Sequence, residues 1–262
     1  MQNILDKIKK HKLTEVIQAK KQFPIETILK SPKLADPCRS LSTKLIQSTK
    51  PQIIAEFKRQ SPSKGIINKN ADPNMIPIGY QNAGAAAISV LTDKDFFGAD
   101  NEDFRIAREM VNIPILRKDF IIDPYQVYQT KIMGADVMLL IAAILSVEEV
   151  VELSKLAKKL GLEVLLELHD ESELDRICEF IDMVGINNRN LKSFKVDTSQ
   201  SASLIGKLPQ NLPAIAESGL KNSDEVLNLF NSGFKGFLIG ETFMKTDDPV
   251  GSCSEMIYNS QK

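Results

Sequence analysis

Short runs in which nearly every position is apolar recur along the chain, IIAEF, AAAISVL, ADVMLLI, LEVLLEL and GFLIG among them. Runs of this length, too short for helices, predict strands covered on both faces, as in a parallel sheet. The expected strands lie near residues 53–57, 86–91, 114–117, 137–141, 163–168, 183–186, 214–216 and 236–239. Between them apolar residues fall at helical spacing among charged ones. The boundaries carry their own signals. Gly84, Gly134, Gly161 and Gly233 each precede a run, where a left-handed helix stop favours a residue without a Cβ. Ser146 with Glu149, Asp170 with Glu173 and Asn222 with Glu225 each set a capping side chain three residues before a carboxylate, predicting helix starts.

Residues 1–50 obey a different pattern. Ile4, Ile8, Leu13, Val16 and Ile17 recur among lysines and predict an amphipathic helix over the first 20 residues, with the lysines on its solvated face. Pro24 and Pro32 interrupt the chain beyond it, so shorter helices are expected at 25–30 and 41–49. The segment is too apolar for a linker and has no strand of its own to cover. Residues 1–45 are expected to pack on the rest of the chain and to close over whatever binds there.

Eight strand–helix units behind such an extension predict a closed (β/α)8 barrel, one domain over 1–262 with residues 1–50 as an N-terminal helical extension. An open doubly wound sheet would carry a glycine-rich phosphate fingerprint after its first strand. The first strand here is followed by KRQSPSKG, which is neither GxGxxG nor a P-loop.

Composition narrows the function classes. At 43% hydrophobic and 26% charged, with a net charge of -1, the chain has the profile of a soluble globular protein and no electrostatic footprint for nucleic acid or a membrane surface. Cys38, Cys178 and Cys253 are odd in number and in no CxxC arrangement, which suits a reducing cytoplasm and no disulfide framework. With only His11 and His169 as imidazoles, no metal site is expected. The N-terminus is charged from residue 6 and reads as no signal peptide, and no apolar run is long enough to span a bilayer.

The candidate chemistry sits where strands end. In the segment IIAEFKRQSPSKG, Glu56 and Lys58 stand two residues apart and therefore share a face. Opposite charges on a buried strand need a polar opening in front of them. Lys118 comes after the third strand, Glu167 closes the fifth, Asn187 and Arg189 come after the sixth, Glu217 and Ser218 the seventh, and Gly240 and Glu241 the eighth. In a barrel these ends face one mouth, where active sites form. The plain alternative is a ring of structural ion pairs across that mouth. Glu217-Ser218-Gly219-Leu220 and Ile239-Gly240-Glu241-Thr242 place glycines in turns expected to open helices, where backbone N–H groups hold phosphate. Near that anion Glu241 would act through its backbone N–H. Phe96 and Phe97 after the second strand, and Phe120 after the third, are placed to wall an apolar ring.

IIAEFKRQSPSKG, SVLTDKDFFGA, ILRKDFIIDPYQ, VLLELHDESEL, GINNRNL, AESGL and FLIGETFM together resemble, in order, the blocks of the indole-3-glycerol phosphate synthase family of tryptophan biosynthesis. The resemblance runs from about residue 4 to residue 244, departing only in the small residues after the phenylalanine pair. It implies ring closure of 1-(2-carboxyphenylamino)-1-deoxyribulose 5-phosphate to indole-3-glycerol phosphate, carbon dioxide and water, by a carboxy-lyase without metal or organic cofactor. By the same resemblance Lys118 protonates the ketone oxygen, Glu167 is the base of dehydration, and Glu56 holds and polarises the lysines. The proton donor in dehydration stays open between Lys118 and Lys58. Lys58 with Ser218, Gly219, Gly240 and Glu241 would bind phosphate. Asn187, Arg189 and Ser61 would orient ring and hydroxyls, Glu217 would meet a hydroxyl, and Phe97 and Phe120 would pack the ring. The expected partner is this phosphosugar–anthranilate alone, taken by a cytoplasmic monomer or weak homo-oligomer with a single activity.

Three rivals stand beside that reading. A class I aldolase would use Lys118 as a Schiff base. The isomerase of the same pathway would want a cysteine–aspartate pair at strand ends, where no cysteine falls. A phosphate-binding scaffold would not gather three carboxylates beside its anion, since they weaken anion binding.

Overall fold

The apolar runs become strands because each is covered on both sides, by the interior of a barrel and by the helices around it. In the computed structural model, which describes residues 4–62, 64–189 and 203–262, they are β1 (Gln52–Phe57), β2 (Ala87–Leu91), β3 (Ile115–Lys118), β4 (Val137–Ile141), β5 (Glu163–Leu168), β6 (Met183–Asn187), β7 (Ala214–Glu217) and β8 (Gly236–Ile239). Ser63, Asn190 and Leu191 of the family-like blocks lie outside the described residues. Each strand pairs in parallel with its sequence neighbours, and β8 pairs with β1 to close the barrel. The chain is therefore a (β/α)8 barrel. Its middle is filled by side chains such as Ile54, Leu116, Leu139 and Leu165, all but excluded from solvent.

The stop and start signals largely act as expected. All four glycines before strands have positive φ. Ser146 and Glu149 form a complete capping box at the helix Val147–Lys159, and the Asn222 side chain accepts from Glu225 N–H. Asp170 departs from the pattern. It accepts from the nearer Ser172 N–H and opens the 3-10 turn Glu171–Arg176, whose tighter winding frees the Glu173 carboxylate to accept from His169 N–H at 2.6 Å. Beyond β1, Gln60–Ser61 and Gly65–Ile66 pair antiparallel, folding the expected loop back on itself.

The N-terminal extension contains α1 (Ile4–Gln22), a single turn at Ile25–Ile28, a 3-10 turn at Pro32–Ala35 and a helix at Leu41–Gln47. The expected helices at 25–30 and 41–49 are thus shorter, and Pro32 accounts for the first stop. The buried stripe of α1 is Leu5, Ile8, Lys12 and Val16, whereas Leu13 and Ile17 stay 47% and 55% exposed. Two expectations are corrected here. Leu13 and Ile17 do not belong to the packed face, and Lys12 does not belong to the solvated one. A strict spacing of three and four selects this stripe, and Lys12 enters it because two buried carboxylates receive it. Its Nζ lies 2.7 Å from Asp93 and 2.9 Å from Asp119, at the ends of β2 and β3. Among the described residues no helix is long and apolar enough to cross a membrane.

Candidate active site

At the C-terminal ends of the strands the inward-facing positions change from apolar to charged. Period-two alternation sets this up: Lys118 continues the face of Leu116, and Glu167 that of Leu165. Register then brings neighbours together. Glu167 lies opposite Gly185 across β5 and β6, and Asn187 lies opposite Glu217 across β6 and β7. These side chains open into a cavity of about 430 Å³. Every residue placed at the site from the sequence lines it, from Glu56 on β1 and Lys58 just beyond it to Gly240 and Glu241 after β8. Phe96 is the exception among the aromatics considered. Its ring turns out of the cavity onto His11 of α1, centroids 5.5 Å apart, while Phe97 stays in, 6.0 Å from Phe120.

The centre of the cavity is one ammonium between two carboxylates. Lys118 Nζ donates at 2.7 Å to Glu167 Oε2 and at 2.7 Å to Glu217 Oε2. Glu167 Oε1 accepts from Asn187 Nδ2 at 3.0 Å, and Asn187 Oδ1 accepts from Arg189 N–H at 3.0 Å. Lys58 pairs with Glu56, and the Arg189 guanidinium with Glu241 at 3.3 Å. Both glutamates beside Lys118 are almost wholly buried, and burial alone raises a carboxyl. They are driven apart. In Glu167 burial is outweighed by the charge of Lys118 and the contact with His169, which hold it well below the usual carboxylate range. In Glu217 burial and the Glu167 charge outweigh Lys118 and push it up to about 8. Burial works against the charge on Lys118, but the surrounding carboxylates raise its pKa above the ordinary lysine value.

Two glycines make room for this arrangement. A Cβ on Gly185 would meet Glu217 Oε1, and one on Gly240 would meet Glu56 Oε1. The β7 end takes a sharp turn. Ser218 and Gly219 both have left-handed φ, 67° and 79°, and the turn is held by Asn188, whose N–H donates to Glu217 O and whose Nδ2 donates to Ser218 O. The expectation that both glycine turns open helices holds only at Gly240, which caps Glu241–Met244. After Gly219 the helix starts at Ser223, because two successive left-handed residues carry the chain away from helical geometry first.

Comparison with known proteins bears directly on this site. The family model described as indole-3-glycerol phosphate synthase matches residues 5–256. The chain belongs to the indole-3-glycerol phosphate synthase family. Relatives with that name include one from Bacteroides thetaiotaomicron, 50% identical and covering 95% of both chains, and one from Thermoanaerobacter pseudethanolicus, 40% identical and covering 98% of both. A third, from Prochlorococcus marinus strain MIT 9515, is 44% identical over 94% of this chain and 86% of its own. Among solved structures, tryptophan synthase subunit alpha from Legionella pneumophila superposes with a TM-score of 0.59 at 13% identity, covering 84% of this chain and 95% of that one. Thiamine phosphate pyrophosphorylase from Pyrococcus furiosus superposes with a TM-score of 0.60 at 14% identity, covering 84% and 98%. At that identity they show the barrel fold alone.

Several lining residues of this family member escaped the sequence reading. Leu5 and Ile8 of α1 form part of the cavity wall, as do Lys64 after β1 and Lys221 and Lys245 beside the glycine turns. Lys221 and Lys245 had a signal in their closeness along the chain to Gly219 and Gly240. The expectation that the N-terminal segment closes over the site does not single out Leu5 and Ile8, since helical spacing shows which face is buried but not which residues meet the cavity. His169 lies 3.2 Å from Glu167, and the two-residue spacing used for Glu56 and Lys58 would have found it.

Proposed function

We propose that this chain closes the indole ring of 1-(2-carboxyphenylamino)-1-deoxyribulose 5-phosphate, releasing indole-3-glycerol phosphate, carbon dioxide and water, as a carboxy-lyase of tryptophan biosynthesis. The observation that carries the reading is Lys118, held charged between Glu167 and Glu217 in the mouth of the barrel. Ring closure needs the carboxylate-bearing ring carbon to attack the ketone carbon while the ketone oxygen takes a proton, and the Lys118 ammonium is the donor. The ionised Glu167, with Glu217 as the second acceptor of its hydrogen bonds, keeps Lys118 charged and makes it a reluctant acid. Substrate entering between them draws Lys118 off one partner and lowers that reluctance as it binds.

After decarboxylation, loss of the hydroxyl needs a base and an acid. Glu167, ionised at rest, is the base. Glu217, protonated up to about pH 8, has an O–H to give to a substrate hydroxyl. Lys58, held by Glu56, faces the same cavity and is the second cation available as acid. Phosphate lies at the β7 and β8 ends, on backbone N–H groups at Gly219, Gly240 and Glu241 with Ser218 and Lys58. Lys64, Lys221 and Lys245 add positive charge. The Glu241 carboxylate is taken up by Arg189, which leaves its N–H for the anion. Ser61, Asn187 and Arg189 orient the ring and hydroxyls, and Phe97, Phe120, Leu5 and Ile8 enclose the ring.

The test is direct. Purified chain given the carboxyphenylamino substrate forms a product with the absorbance and mass of indole-3-glycerol phosphate. No product, or a lysine adduct trapped by borohydride, contradicts the reading, and the adduct would favour an aldolase. Substrate lacking its phosphate binds far more weakly, because charge-assisted hydrogen bonds are the stronger class.

A further inference from the structure

Glu167 has a neighbour with no task in the reaction as proposed. His169 is the second residue beyond it, so the two side chains share the inward face of the β5 end. Its ring is nearly buried, with Nε2 3.2 Å from Glu167 Oε1 and Nδ1 3.8 Å from Glu173 Oε2. Glu173 is itself buried and is fixed by the bond it accepts from His169 N–H. The ring is thereby held between a carboxylate of the cavity and one on the 3-10 turn behind it. Glu167 is met from three sides: Lys118 of β3 on Oε2, Asn187 of β6 and His169 on Oε1.

We propose that His169, braced by Glu173, is a positioning residue for Glu167, fixing its Oε1 so that the carboxylate stays ionised and turned to the substrate when Lys118 moves away. Lys118 is the strongest partner of Glu167 at rest, yet it must leave to protonate the ketone. A carboxylate that lost its only cation in a buried site would rise in pKa and swing. The imidazole supplies a second positive partner that the reaction does not displace. Burial works against charge on that ring, but Glu167 and Glu173 together raise it to about 9, so it is charged at neutral pH.

The inference rests on Glu167 being the base, and the experiment separates the two. Full-length His169→Ala, Glu173→Gln and Glu167→Gln are compared with wild type in kcat, KM and the pH profile of kcat. His169→Ala is expected to lower kcat about tenfold or more while KM stays within a few-fold, the scale of losing an opposite charge beside a buried carboxylate. Its acid limb is expected to move up by about one pH unit, since Glu167 loses an opposite charge. Glu173→Gln shows the same displacement in smaller measure. If His169→Ala does not fold, Glu173→Gln decides, a raised limb supporting the proposal and a wild-type profile overturning it. Turnover retained in Glu167→Gln removes the base and the proposal with it. Turnover lost in Glu167→Gln but kept in His169→Ala, with an unmoved acid limb, overturns the proposal alone.

Discussion

Lys118 and Glu167 form an ion pair at rest and are assigned opposite roles in the reaction, so removing either charge should be felt in turnover before it is felt in binding. Lys118→Met and Glu167→Gln are each expected to lower kcat by at least about 10²-fold, the lower end of what a general acid or base contributes. Substrate affinity should stay within a few-fold, measured as KM alongside product formation. The same cluster makes stability depend on pH. His169 is raised from 6.5 to about 9 in the folded chain, so its contribution is full below pH 6.5 and is lost as pH rises to 9. Glu217, raised from 4.5 to about 8, acts with the same sign over its own range. Urea midpoints should therefore fall across that window, and His169→Ala should flatten the fall. A midpoint that rises between pH 6.5 and 9 would contradict both assignments. Glu56, Lys58, Lys118, Glu167 and Glu217 were legible because a charge at the end of a buried strand is costly unless a polar cavity receives it. The division of protons between Glu167 and Glu217 was not, since it depends on which buried carboxylate stands nearer to His169.

Between elements, clearance matters as much as contact. Gly185 on β6 leaves the space that Glu217 Oε1 occupies from β7. In Gly185→Ala the obstacle is the end of a side chain rather than backbone, so the barrel should fold with a melting temperature close to wild type. The displaced carboxylate should still cost about 10²-fold in kcat/KM, as misplacements near 1 Å do. Strand periodicity cannot reveal such a need, because glycine in a strand reads only as a weak strand. The link from α1 to the barrel is similar. Lys12 joins Asp93 and Asp119, and Asp119 is further held by Arg117 at 2.9 Å and Thr92 at 2.6 Å, one residue from Lys118. Lys12→Met would leave buried Asp93 without its cation and Asp119 with Arg117 alone, at a cost of about 3–5 kcal/mol. Denaturant unfolding checks this, and KM should rise because Leu5 and Ile8 lose their anchor over the cavity. A lysine among apolar residues at the N-terminus gave no sign of this pairing, since its partners lie far along the chain.

At the scale of the whole molecule, eight parallel strands point their C-terminal ends at one cavity, and α1 contributes to its wall. That topology was legible because glycine stops, caps and apolar runs repeat at the length of a strand–helix unit. The site came with the topology, since a closed barrel brings together strand ends far apart in sequence. The sequence predicts that residues 1–45 close over the site, and the closed structure shows which residues do so, Leu5 and Ile8, together with the lysines of the lining. In the proposed reaction, carbon–carbon bond formation in this cavity waits on the Lys118 proton, and decarboxylation comes after it. A single-turnover, rapid-quench experiment with substrate labelled at its carboxylate tests that order. Wild type should release labelled carbon dioxide as the indole ring appears. Lys118→Met, with substrate bound, should release neither. Labelled carbon dioxide leaving Lys118→Met at the wild-type rate would contradict the proposed order.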